Sequence, residues 1–352
     1  MFFPDDTYIL TEVIRLRNHN KIWTSILCSL VFIILILDAK TSLIGAKEGI
    51  QICIYTVIPS LFPFIILSIM ISNTLAGTQI KLLRPIGKIC GIPSGAETLM
   101  LLGFMGGYPI GAQNICETYR CGNISKKDAQ RMLGFCNNAG PAFIFGMLSM
   151  LFENKSALWA LWGIHIVSAI IVGYIFPFKS KSMCNAAKSV TITVPKALEK
   201  GTKSMALICG WVILFRVLLA FIKRWFFFLL PVNMGVLLTG LLELSNGCID
   251  IQSIELPGLR FIFCAVILAF GGICVCMQTV SATAELGTGF YFPGKVMQLS
   301  ISLLLAQLLQ FIIFPRCECV NIRLQWIIIP VIIIATIPKI ISKSKKIVAI
   351  QR

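Results

Sequence analysis

The chain has 352 residues, of which 57% are apolar and only 13% are charged, and its mean hydropathy is +0.86. Soluble domains sit nearer about 45–50% apolar and about a quarter charged, so a soluble enzyme, a disordered chain and a secreted disulfide scaffold are excluded. Lys and Arg number 31 against 15 Asp and Glu, a formal charge of +16. These charges lie between apolar runs, where they orient a chain in a bilayer rather than bind nucleic acid.

The first apolar run, residues 22–37, follows a segment with Asp5, Asp6, Glu12, Arg15, Arg17 and Lys21. It reads as a retained membrane helix; because it is barely long enough to span, a removed signal peptide is the alternative. A second span at residues 49–71 contains Pro59 and Pro63. Each proline removes a backbone donor and crowds the preceding turn, so a bend is expected. Residues 91–113, GIPSGAETLMLLGFMGGYPIGAQ, meet Gly106, Gly107, Pro109 and Gly111 before the apolar part can cross, which predicts a re-entrant hairpin. Ser125 and Asp128 then resemble a capping box for a helix that breaks at NNAGP (residues 137–141) and resumes as AFIFGMLSMLF. A further span covers residues 157–176.

Residues 177–203 carry six Lys and one Glu and read as a cytoplasmic linker by the positive-inside rule. The second half predicts spans at 204–222, 225–242 (interrupted by Pro231), 258–279, 295–314 and 326–342. The whole is an all-α polytopic membrane protein, with about eight transmembrane helices plus re-entrant or broken helices in two inverted repeats. The boundaries are 1–45 for the N-terminal segment and first span, 46–176 for the first repeat, 177–203 for the linker, 204–314 for the second repeat and 315–352 for a last span and basic tail.

The repeat rests on GFMGGYPIGAQ and AFGGICVCMQ: aligned on their glycine pairs, both read Gly-Gly, five residues, Gln. Opposed hairpins expose unpaired backbone groups, and glycines let that backbone approach a solute. The candidate solute-binding residues are therefore Gly106, Gly107, Tyr108, Pro109, Gly111, Gln113, Asn137, Asn138, Gly271, Gly272, Gln278 and Thr279. Glu117 and Glu285, each just past a predicted tip, are candidates for a coupling proton or cation. Ser300, Gln307 and Gln310 share a helix face and read as interhelical glue. Arg216 reads as a residue snorkelling toward Lys223 and Arg224, and His165 as a packing residue. The 14 cysteines show no zinc spacing, and with only His19 and His165 present neither a metal site nor a catalytic triad is expected. No cofactor and no enzymatic activity are expected.

PSLFPF, LLGFMGGYPIGAQ, ISKKDAQRMLGFCNNAGPAFIFG, LLELSNG and AFGGICVCMQ together resemble the YlbJ sporulation integral membrane proteins over roughly residues 46–314. The resemblance extends to a wider group with a nucleoside-recognition, or Gate, domain, which is similar to concentrative nucleoside transporters. It implies a spore-former's multi-pass protein in the cytoplasmic membrane, of the forespore or the mother cell, with a gated, transporter-like core.

Two functions follow as expectations. One is movement of a small polar, nucleoside-like solute between the two hairpins. The other is a non-transport factor for spore envelope or cortex assembly that keeps the fold. The expected partners are the lipid bilayer, a small polar solute, and either a second copy or other sporulation membrane proteins; nucleic acid is not among them.

Overall fold

The computed structural model describes residues 22–75, 78–176 and 192–321. The predicted last span at 326–342 and the stretch 177–191 lie outside the described residues. The described chain contains helices and no strand.

The first helix, α1, is Ile22–Leu37. Asp38 caps the next by accepting from Thr41 N at 3.3 Å, and α2 (Ala39–Ile52) passes through a π turn (Cys53–Val57) into α3 (Ile58–Thr74). The π turn lies immediately before Pro59, where the normal ladder must loosen, so this span stays continuous from Ala39 to Ser72. A short α4 (Arg84–Ile89) leads into a hairpin of two half-length helices, α5 (Glu97–Met105) and α6 (Ile110–Arg120). Next come α7 (Lys126–Leu133), the extended break, α8 (Pro141–Met147) and the full span α9 (Lys155–Ile175).

The chain then continues into its second half. A long helix, α10 (Val194–Phe226), precedes a hairpin of α11 (Val232–Leu242) and α12 (Leu244–Asp250) that turns at Glu243. A broken helix follows, α13 (Pro257–Phe270) and α14 (Gly272–Ala282), and then the span α15 (Tyr291–Ile313). At 33 residues α10 is about 50 Å long, against a hydrocarbon core of about 30 Å. Its first turns, with Lys196, Lys200 and Lys203, are thus part of the stretch expected as linker, and they are helical because Pro195 sits at the permissive N-terminal positions.

Among the described residues, five elements of 34, 21, 36, 26 and 23 residues are long and apolar enough to cross a membrane, and three shorter apolar helices accompany them. Leu37, Phe228 and Ile312 are more than three-quarters exposed, as expected of side chains facing lipid tails. The element Pro257–Ala282 is the most enclosed of the five.

The hairpin expected at Gly271–Gly272 is instead a break. Both glycines have φ of +82°, a left-handed geometry that side chains with a Cβ rarely adopt, and it interrupts the helix between α13 and α14. The hairpin of this half lies upstream, at Glu243. Each half thus holds one hairpin, turning at Gly106–Pro109 and at Glu243, and one break, at NNAGP and at Gly271–Gly272. Pro231, inside an expected span, separates α10 from the hairpin.

Glycines set the close approaches. A Cβ on Gly103 or Gly111 would overlap the Cys136 carbonyl, so the α5–α6 hairpin lies directly on the chain entering the break. In the other half a Cβ on Gly247 would overlap Gly240, so α11 and α12 touch backbone to backbone. Gly103→Ala should lower the thermal midpoint of the detergent-solubilised protein by the equivalent of at least about 1–3 kcal/mol. Gly146→Ala, where nothing lies within 4 Å, should leave it unchanged; equal midpoints for the two variants would contradict this packing.

Candidate functional site

The breaks and tips converge on a buried polar junction. Asn137 and Asn138, both 0% exposed, stand where α7 has ended and α8 has not begun. Asn137 Oδ1 accepts from Ala112 N of α6 at 3.2 Å, and its Nδ2 donates to Thr279 Oγ1 of α14 at 2.9 Å. One amide thus joins the first hairpin, the first break and the second broken helix. His165 Nε2, on α9, accepts from Ala139 N at 2.9 Å, which satisfies a backbone donor freed by the break.

Lys295, one turn into α15, is 0% exposed. Its Nζ donates to Gln298 Oε1 at 2.8 Å, Tyr108 Oη at 3.0 Å and Asn138 Oδ1 at 3.2 Å. Three acceptors for three N–H donors is the complement of an ammonium. The Tyr108 hydroxyl in turn donates to Leu268 O at 3.2 Å, just before the second break, and the Tyr108 ring rests on Gly271.

At the second tip, Glu243 is 2% exposed. Its carboxylate accepts from Ser245 N at 3.1 Å, Asn246 N at 2.7 Å and Asn246 Nδ2 at 2.6 Å, capping α12. Arg216 of α10 donates to Asn246 Oδ1 and pairs with Glu48 of α2 at 2.7 Å. It is held across the α2–α10 seam rather than snorkelling.

Beside the junction opens a vestibule of about 760 Å³, between α3, α6, α14 and the start of α10. Gln113, Asn114 and Gln278 form its polar wall, and Ile208 and Trp211 its apolar one. Lys196, Lys200, Lys203 and Arg120 line it as well. A small inner cavity of about 40 Å³ lies between the two tips, bounded by Tyr108, Gly140, Glu243 and Gln278. Gln278 and Ile208 border both spaces. Asn114 Nδ2 is buried with no hydrogen-bond partner, although it borders the vestibule.

This architecture has a relative. The chain is 24% identical over 334 residues to the sporulation integral membrane protein YlbJ of Bacillus subtilis (strain 168), with 80% of this chain and 81% of that protein covered. The chain is YlbJ-like. It is a multi-pass membrane protein, as the relative's name and the five long apolar helices together indicate. No family model matches it, and no solved structure matches it.

The expected site residues of the YlbJ-like chain divide into three groups. Gln113, Gln278 and Pro109 line the vestibule, and Tyr108 lines the inner cavity. Asn137, Asn138 and Thr279 are engaged with other protein groups in the junction. Gly106, Gly107, Gly111, Gly271 and Gly272 are packing points: Gly107 meets Gly140, and Gly272 meets the α11–α12 turn. Glu117 pairs with Lys200 at 3.2 Å, and Glu285 with Arg120 at 3.0 Å, both in exposed positions. Gln307 and Gln310 donate to Val320 O at 2.7 and 2.6 Å, holding the segment after α15.

Sequence reasoning missed Lys295 and Glu243. Each had a signal, since Lys295 is the sole basic residue between Arg260 and Arg316, and Glu243 sits alone within VLLTGLLELSN. Full burial of such side chains is rare and marks a special role. Lys295→Met should strand the acceptors it serves and cost about 1–3 kcal/mol, read as a lower denaturation midpoint in detergent. An unchanged midpoint would show that the ammonium is no strut of the junction.

Proposed function

We propose that this protein moves a small polar solute across the membrane, with the vestibule as its entry site and the two tip-and-break assemblies as its gate. The observation carrying this reading is Gln278, which borders both the vestibule and the inner cavity between the tips. Asn114 supports it, because a buried amide donor with no protein partner calls for an acceptor supplied from the vestibule. An amide-rich wall beside Trp211 suits a solute with several hydrogen-bonding groups and a flat face, and a nucleoside is the first probe to try. Ion pairs rim the entry, and their lysines support a vestibule that faces the cytoplasm under the positive-inside rule.

The two halves are, in this reading, inverted copies. Their shared element order supports it, as does the way each tip packs on the break of its own half, Gly107 on Gly140 and Gly272 on the α11–α12 turn. The relative is named a sporulation integral membrane protein; carried over, the setting is the cytoplasmic membrane of a sporulating bacterium. A second reading, a spore-envelope assembly factor without transport, is favoured by the inner cavity of about 40 Å³, which admits no solute larger than water as it stands.

Flux into liposomes containing the purified protein decides between them. Gln113→Ala and Gln278→Ala should reduce solute flux at least tenfold while leaving yield and thermal midpoint unchanged. If wild-type protein moves no solute class and both variants still restore sporulation to a strain lacking the gene, transport is wrong and the assembly role stands.

A further inference from the structure

Glu243 has no assigned task beyond capping a short helix. Serine or asparagine caps a helix as well as glutamate does, whereas a carboxylate in an apolar interior carries a large cost unless it is compensated. Its compensation is unusual. All three donors come from its own turn, Ser245 N, Asn246 N and Asn246 Nδ2. Arg216, the cation nearest in the network, donates to Asn246 Oδ1 and ion-pairs with Glu48 instead. The other titratable groups around it are the thiols of Cys53 from the π turn, Cys274 from α14 and Cys248 from α12, with Tyr108 across the inner cavity. Helix α11 brings no titratable side chain.

Glu243 also borders the inner cavity. By volume, about 40 Å³ holds roughly one or two waters, and Gln278 and Ile208 are shared with the vestibule beyond. Only the Gln278 and Ile208 side chains are common to the two spaces, so their movement would open the carboxylate to vestibule water. A metal cation does not suit the place. The oxygens already accept three hydrogen bonds, and the Lys295 ammonium stands on the far side of Tyr108, 3.0 Å from its hydroxyl.

We propose that Glu243 is a proton-binding site that couples transmembrane proton movement to the opening of the α11–α12 tip. A hydronium ion from the vestibule gives up one O–H bond and leaves as water, and one O–H bond forms on a carboxylate oxygen. The neutral acid then holds Ser245 N and Asn246 N less strongly than the carboxylate did, which frees the tip. The coupling role rests on the transport reading above, but the protonation does not, and it is tested without any solute.

The purified full-length protein is titrated from acidic to alkaline buffer while the infrared stretch of protonated carboxylic acids is followed, and dicyclohexylcarbodiimide adducts are mapped by mass spectrometry. Expected are a protonated-acid component present in the wild-type-minus-Glu243→Gln difference spectrum and an adduct on Glu243, both fading as pH rises, with that component shifted in Glu243→Asp. The adduct is read on wild-type protein, so it stands even if a variant misfolds. An acid-band spectrum identical in wild type and Glu243→Gln at every pH, or a wild-type Glu243 that never reacts at any pH, overturns the proposal. In liposomes, Glu243→Gln flux should lose its dependence on a pH gradient; retained dependence overturns the coupling role. Wild-type protein that binds the proton yet moves no solute refutes transport and coupling and leaves the proton site standing.

Discussion

A helix broken inside an apolar body releases backbone donors and acceptors that water cannot reach, and each must find a partner in the protein. Four side chains answer that need. Asn137 takes Ala112 N, His165 takes Ala139 N, Glu243 takes Ser245 N and Asn246 N, and the Tyr108 hydroxyl gives its proton to Leu268 O. Because these partners come from other elements, or from the turn itself, satisfying the backbone also fixes how tips and breaks are placed. The ammonium of Lys295 ties the same groups to α15.

The two halves meet this requirement differently. In the first, the tip is a glycine-proline turn and the break is lined by amides, so polarity comes mostly from neutral side chains. In the second, the tip is a single glutamate and the break a pair of left-handed glycines. The inner cavity lies between these unlike ends, with Tyr108 on one side and Glu243 on the other. In the gate proposed above, the carboxylate therefore belongs to the second tip alone, while the first tip is tied to the Lys295 ammonium through Tyr108.

Much of the architecture was legible in the sequence because lipid enforces it. The apolar runs at 49–71, 157–176 and 295–314, the hairpin ending at Gly106–Pro109 and the break at NNAGP all follow from length, proline and glycine. The place of the second hairpin was not legible. Gly271–Gly272 copies the spacing of Gly106–Gly107 up to the glutamine, yet one pair ends a helix and the other turns a hairpin. A glycine pair specifies a departure from helix without specifying the angle, which α11 and α12 decide by filling the hairpin position first. Among site residues, Gln113 and Gln278 reached the vestibule, whereas Asn137 and Asn138 were spent on the fold. Lys295 and Glu243 were hidden because one-dimensional reading treats a charge at the edge of an apolar run as lying at a membrane surface, and only the folded contacts reveal that both edges are interior.

The seams between helices run across the halves as well as within them. Gly45 and Gly49 of α2 lie against the backbone of α10 at Val217 and Ile213, and α9 packs on α13 and α15. Neither half therefore has a finished surface of its own. During synthesis the glycine face of α2 has no α10 to pack on until that helix has been made, and the acceptors at Tyr108 and Asn138 wait for Lys295. A chain terminated anywhere before α15 would leave an amide junction open toward hydrocarbon, and quality-control proteases that survey the membrane would meet it as an incomplete protein.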